Sequence, residues 1–273
     1  MMEALLALLF GLLIGSFLNV CIYRWPRDLS VVRPRSHCIA CEKIIAWYDN
    51  VPLASYFLLR GRCRHCGARI PLRYPVVELL TGVLFFSFVW ELGLTLAALK
   101  MCTFAAILVG LIFADLKERI LPDELTLGGT LLGFLFALWV PVPDTIAQAI
   151  LWLLGTPVSG RVQWLAEAAF GAVLPAVFLW LAGWLYQRVR HREGLGFGDV
   201  KLIAMTGSFL GLSGALLTLI AGSIAGSVIG YGYIRLRGKD PSTYELPFGT
   251  FLGLAALGIA LAARKLLAWH GGL

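Results

Sequence analysis

The chain has 273 residues, of which 59% are hydrophobic and only 14% charged, and its mean hydropathy is +0.82. That balance excludes an ordinary soluble domain, which carries far more charge, and indicates a polytopic membrane protein. The net charge of +7 is no sign of nucleic-acid binding, because Lys and Arg mark the cytoplasmic loops of membrane proteins.

The first apolar run covers residues 4–23, and Arg24 and Arg27 follow it with no basic residue before it. This polarity predicts an uncleaved first span whose N-terminus lies outside. Gly11, Gly15 and Ser16 put small residues on one helical face, suited to close packing with a neighbouring helix. Asn19, polar at this depth, is expected to hydrogen-bond between helices. Cys21 and Cys102 lie in apolar runs and read as packing residues.

Residues 24–75 differ in kind. They hold ten of the 23 basic residues and no apolar run long enough to span, so they form a small loop domain outside the bilayer. Four of the six cysteines fall here, as Cys38-Ile39-Ala40-Cys41 and Cys63-Arg64-His65-Cys66, with 21 residues between the pairs. Two Cys-x-x-Cys pairs at such a spacing fit one tetrahedral zinc site, closed and structural, with Cys38, Cys41, Cys63 and Cys66 as ligands. A module with so little apolar content needs such a staple to fold.

Further spans are expected near residues 76–90, 97–114, 125–140 and 164–186, with the short apolar piece 146–154 lying in the interface. The run 202–234 has 33 residues, about 50 Å as one helix, which exceeds the ~30 Å hydrocarbon core. It is therefore divided near Gly211 to Gly214, and a last span covers residues 247–263. The expectation is an all-α polytopic membrane protein of about eight transmembrane helices: a first helix at 1–23, a cytoplasmic four-cysteine zinc-binding domain at 24–75 and a membrane domain at 76–273. In this topology 19 of the 23 basic residues face the cytoplasm, and only Lys100, Arg161, Arg264 and Lys265 lie outside.

Two carboxylates then call for a reason. Asp115 ends the third apolar run, and Asp199, in Gly196-Phe197-Gly198-Asp199-Val200-Lys201, opens the sixth. Charge at a membrane edge is costly, and both fall on the cytoplasmic side of the expected topology. Two carboxylates that share a proton can hydrolyse a peptide bond, one activating water while the other protonates the carbonyl oxygen. A helix N-terminus favours a carboxylate, so Asp199 is expected to be the ionised partner and Asp115 the proton carrier. Gly196 and Gly198 leave the backbone bare for close approach. Lys201 is either an interfacial anchor or a group that orients Asp199 or substrate. Asp123 and Glu124 suit a helix start. Glu78 reads as a buried carboxylate, with Arg73 as a candidate partner. No role follows from the sequence for residues 141–163.

At these residues the chain resembles the type IV prepilin peptidases, membrane aspartic proteases of the GxGD type. The resemblance runs through Gly15-Ser16-Phe17-Leu18-Asn19, the four cysteines, Asp49-Asn50-Val51-Pro52, Tyr74-Pro75-Val76-Val77-Glu78, Asp115, Leu121-Pro122-Asp123 and Gly196 to Lys201. One departure is Ile39-Ala40, where many members have a proline after the first cysteine. The resemblance implies catalytic Asp115 and Asp199, prepilin or pseudopilin substrates of a type IV pilus or type II secretion system, and cleavage after a glycine at the cytoplasmic face of the bacterial inner membrane. It also implies N-methylation of the new N-terminus from S-adenosylmethionine, to which no residue is assigned. Competing readings are a presenilin-type intramembrane protease, a non-enzymatic zinc-bearing scaffold, and a proton-coupled transporter using the two aspartates as a relay.

Overall fold

The computed structural model describes residues 1–142, 144–153, 155, 160–191, 195–236 and 246–270, without the side chains of 145–147 and 263–270. Ten α-helices succeed one another among the described residues: α1 (Met2–Arg24), α2 (Ala54–Leu58), α3 (Arg73–Leu92), α4 (Leu96–Glu118), α5 (Asp123–Ala137), α6 (Thr145–Leu153), α7 (Arg161–Arg190), α8 (Phe197–Ala225), α9 (Tyr231–Leu236) and α10 (Phe248–His270). A π-helical turn, Gly226–Gly230, joins α8 to α9. Among the described residues, five segments are long and apolar enough to cross a membrane: Met2–Arg27, Arg73–Leu92, Leu96–Glu118, Arg161–Arg190 and Phe197–Leu236. The last of these breaks at Gly211, so that it forms two apolar helical segments. The described part of α10, Phe248–Ala262, is a further, shorter apolar helix.

The break has a specific cause. Gly211 sits at φ 74° and ψ −175°, a conformation that strains any residue with a Cβ. The backbone groups freed there are taken up by Asp144, 1% exposed, from just before α6. Its Oδ2 accepts from the N–H of Leu212 and, at 3.3 Å, of Ser213, and its Oδ1 accepts the Ser213 hydroxyl at 2.6 Å. Asp144 thus caps the second half of a broken helix inside the protein, which gives part of residues 141–163 a structural role. Nearby, Lys100 is fully buried rather than exposed in a turn. Its Nζ lies 3.5 Å from the Pro141 carbonyl and within electrostatic reach of Glu167, which the Gln163 amide also contacts at 2.9 Å.

Small residues set the closest helix contacts, because without water to expel, packing has to come from shape. A methyl group on Gly15 would sit 2.6 Å from the Glu78 Cα, and one on Gly11 would sit 2.8 Å from the Gly82 Cα, so α1 lies backbone to backbone on α3. Asn19 ties the same pair by donating to the Gly15 carbonyl at 3.3 Å and the Tyr74 carbonyl at 3.0 Å. α7 meets α8 in the same way, since a methyl on Gly207 would fall on the Gly171 carbonyl. Larger groups fill the centre, where the Phe104 and Phe209 rings stack at 4.8 Å between α4 and α8. Cys21 and Cys102 are buried, free and part of this packing.

Several helix ends converge on one face of the bundle. Arg27, just after α1, pairs with Glu118 at the end of α4 at 2.7 Å. Lys201, in the first turns of α8, pairs with Asp123 at the start of α5 at 2.5 Å. The cysteine module between α1 and α3 therefore shares a face with the end of α4 and the beginnings of α5, α8 and α10.

Candidate active site

Asp115 lies in the last turns of α4, at the helix's C-terminal end as expected, and α4 continues past it to Glu118. The longer helix carries the side chain into the protein, where it is 5% exposed. Its Oδ2 accepts the Thr250 N–H at 2.6 Å and the Thr250 hydroxyl at 2.7 Å. Thr250 belongs to the first turn of α10, where backbone N–H groups have no partner within the helix. One residue thus supplies two donors to one carboxylate oxygen, and the other oxygen, Oδ1, is left for other partners.

Asp199 is in the first turn of α8, capped by Gly196, and is 9% exposed. Its own N–H bonds back to the Gly196 carbonyl at 3.1 Å, so the glycine carbonyl begins the helix that presents the carboxylate. A methyl on Gly198 would meet the Leu121 side chain at 3.1 Å, and one on Gly249 would meet it at 2.9 Å and Asp115 Cγ at 3.3 Å. Leu121 therefore rests on two bare backbone positions, one beside each aspartate. A side chain at either glycine would crowd Leu121. Asp115 and Asp199 are brought to one face, beside the two glycines on which Leu121 rests.

Lys201 takes neither carboxylate. Its ammonium pairs with Asp123 and lies 5.0 Å from the centre of the Phe197 ring, so it joins the start of α8 to the start of α5. Asp123 and Glu124 open α5, as expected. Glu78 is buried, but its partner is not Arg73. Its Oε2 accepts the Leu53 N–H at 2.8 Å, with Ser16 close to the same carboxylate, whereas Arg73 lies over the Tyr74 ring at 5.1 Å.

The four cysteines of the module do meet. Their Sγ atoms all lie within 4.8 Å of one another, with Cys38 and Cys66 at 3.8 Å. Zn–S bonds of ~2.3 Å in a tetrahedron imply S···S edges of about 3.8 Å, so the group has the size to hold a metal ion. Each pair sits in a tight turn. The Glu42 N–H bonds to the Cys38 carbonyl at 2.8 Å and the Gly67 N–H to the Cys63 carbonyl at 3.0 Å. The bridges His37 to Ile44 and Arg62 to Arg69 close the two turns. Backbone N–H groups of Cys66 and then His65 pull the Cys63 thiol down to about 7, favouring the thiolate a metal requires. Arg64 joins the module's two halves by a bidentate pair with Asp49 at 2.8 and 2.6 Å, and holds the Asp49 carboxyl below its usual range.

Two family models match the chain. Residues 9–92 match the family model of the bacterial peptidase A24 N-terminal domain, and residues 102–231 match that of the type IV leader peptidase family. A prepilin leader peptidase/N-methyltransferase of Pseudomonas putida is 33% identical over 275 residues, covering 92% of this chain and 87% of the relative. The chain belongs to the type IV leader peptidase family. Within that family, a protein of the same name from Aeromonas hydrophila is 34% identical over 97% of this chain and 92% of its own. One from Myxococcus xanthus is 39% identical over 86% of this chain and 64% of its own. No solved structure matches the chain.

Thr250, Asp144 and Leu121 are the residues of this arrangement to which sequence reasoning gave no role. Thr250 carried a signal: a lone hydroxyl following Pro247-Phe248-Gly249 at the start of the last apolar run.

Proposed function

We propose that this protein is a prepilin leader peptidase of the bacterial inner membrane, with Asp115 and Asp199 as its catalytic pair, and that it also N-methylates the new N-terminus. The observation that carries the reading is the convergence of two buried carboxylates, 84 positions apart in the chain, at one face of an apolar helical bundle. The presenilin-type, scaffold and transporter readings have no comparable support, since the family's relatives carry the peptidase name.

Hydrolysis runs through the pair as a unit. One carboxylate accepts a proton from water as its oxygen attacks the scissile carbonyl carbon, and the other donates a proton to the carbonyl oxygen. Collapse of the tetrahedral species breaks the C–N bond, and the amine leaves with a proton. Because Oδ2 of Asp115 is occupied as the acceptor of both Thr250 donors, a proton carried by Asp115 sits on Oδ1. Asp199 stands over the N-terminal turn of α8, a setting suited to the base. Gly196 and Gly198 support the site as backbone without side chains, and Lys201 supports it by holding α8 to α5 through Asp123.

The substrate is a prepilin or pseudopilin with a short basic leader and an apolar helix behind it. Its scissile bond follows a glycine where the helix leaves the membrane, because glycine eases local unwinding. The active face and the cysteine module face the cytoplasm, with the N-terminus outside. Cys38, Cys41, Cys63 and Cys66 hold a structural zinc ion, which staples the module.

The test is leader release from a prepilin in reconstituted membranes. Asp115→Asn and Asp199→Asn each abolish cleavage while helix content and melting remain those of the wild type. Cleavage that survives either substitution sinks the catalytic assignment.

A further inference from the structure

The two aspartates leave the methyl transfer without a site. A cavity of about 410 Å³ lies elsewhere, between the cysteine module and the start of α3. That size is within the ~300–1,000 Å³ typical of small-molecule sites. We propose that this cavity binds S-adenosylmethionine and that the Glu78 carboxylate, on its lining, faces the methyl sulfonium. The proposal rests on the reading above only in that the acceptor amine is the one released by leader cleavage.

Charge selects the ligand class. Two carboxylates line the cavity, Asp49 and Glu78. Asp49 is neutralised by its bidentate pair with Arg64. Glu78, 7% exposed, accepts from an amide N–H and lies close to Ser16, neither of which carries a compensating charge. A buried carboxylate beside neutral groups invites a cation. The amide that fixes it belongs to Leu53, which sits at φ 58°, a conformation that a bulky residue adopts only when its surroundings hold it there. The walls are mainly apolar, with the rings of Tyr56 and Tyr74 among them. Such faces suit both an adenine ring and a sulfonium methyl. The exposed Lys43 and Arg69 also line the cavity and can meet the ligand's carboxylate.

Position favours the same ligand. Glu78 and Tyr74 belong to α3, which Asn19 binds to α1, and Arg27 binds the end of α1 to the end of α4, three residues beyond Asp115. The cavity and the aspartates therefore open on the same face. In the transfer, the lone pair of the pilin amine forms a bond to the methyl carbon as the C–S bond breaks. The sulfonium becomes a neutral thioether, and one amine proton passes to water.

The experiment uses purified full-length protein in micelles and S-adenosylmethionine itself. Calorimetric titration gives one site per chain in the wild type. Ultraviolet irradiation with methyl-tritiated ligand labels the peptides that carry Tyr56 or Tyr74. Glu78→Gln keeps an acceptor for the Leu53 N–H yet weakens binding by about tenfold or more, the scale of one lost charge-assisted contact. The same variant lowers the preference for S-adenosylmethionine over the uncharged thioether product, which a merely structural role would not do. Ile45→Trp, which fills the cavity, abolishes binding. Asp115→Asn binds as the wild type does, so a failed peptidase assignment and a failed pocket assignment remain distinguishable. Label on peptides carrying Asp115 or Asp199, or wild-type affinity in both Glu78→Gln and Ile45→Trp, overturns the proposal.

Discussion

Replacing Thr250 with valine removes one donor from the Asp115 carboxylate and leaves the other. The side chains have nearly the same shape, and the residue is 4% exposed, so the cavity stays filled and water does not take the donor's place. The backbone N–H remains at 2.6 Å from Oδ2, while the hydroxyl at 2.7 Å is lost. The hydroxyl's second contact, to the Ile112 carbonyl at 3.4 Å, is too long to count for much. A hydrogen bond to a charged group contributes about 1.5–3 kcal/mol. Asp115 gains charge as it gives up its proton, so the bond strengthens on the way to the transition state, and without it kcat/KM for leader cleavage falls about 10- to 100-fold, at ~1.36 kcal/mol per tenfold. Thr250→Ser keeps the hydroxyl and restores most of the rate. The assay is initial-rate cleavage of a prepilin in micelles, with thermal unfolding as the control for folding. A valine variant within twofold of the wild type, or a serine variant as slow as valine, would refute the role given to Thr250.

Three other expectations concern the frame around the site. Asp144→Ala strips the cap from the second half of α8 and leaves buried N–H groups unpaired, a loss of about 3 kcal/mol. Asp144→Asn, which retains one acceptor, loses about half of that, and unfolding in mixed micelles measures both. Equal stability of the alanine variant and the wild type would mean that Gly211 is broken for another reason. Gly207→Ala places a methyl on the Gly171 carbonyl and forces α7 from α8 at a cost of about 3 kcal/mol or more, because backbone cannot yield as a side chain can. It should lower both the melting temperature and leader release, since α8 carries Asp199. Metal removal tests the cysteine module. After chelation at neutral pH, iodoacetamide modifies Cys63 before Cys66. The Cys66 and His65 N–H groups bring the Cys63 thiol down to about 7. The Cys66 thiol, although helped by the Ala68 N–H, is pushed up to about 11 by desolvation and the neighbouring thiols. Added zinc protects all four cysteines. Labelling that ignores zinc speaks against the site.

Much of this protein was legible in the chain because the membrane imposes local rules. Apolar runs and basic loops are written in consecutive residues, and the split of the 202–234 run followed from its length and the charge of its flanking loops, with Gly211 to Gly214 marking the place. The Cys-x-x-Cys pairs were equally plain, since each pair's geometry is set by four adjacent residues. The two aspartates could be singled out because charge at the edge of an apolar run is costly. What only the tertiary structure decided is which residues, remote in sequence, stand beside them. That Thr250 donates to Asp115, that Lys201 turns to Asp123, that Glu78 takes a leucine amide instead of Arg73, and that Asp144 caps a helix 68 positions away depends on how the helices pack. In an apolar bundle that packing is set by backbone-to-backbone contact at glycines such as Gly15 and Gly207, and a single sequence shows where glycines are but not which of them meet.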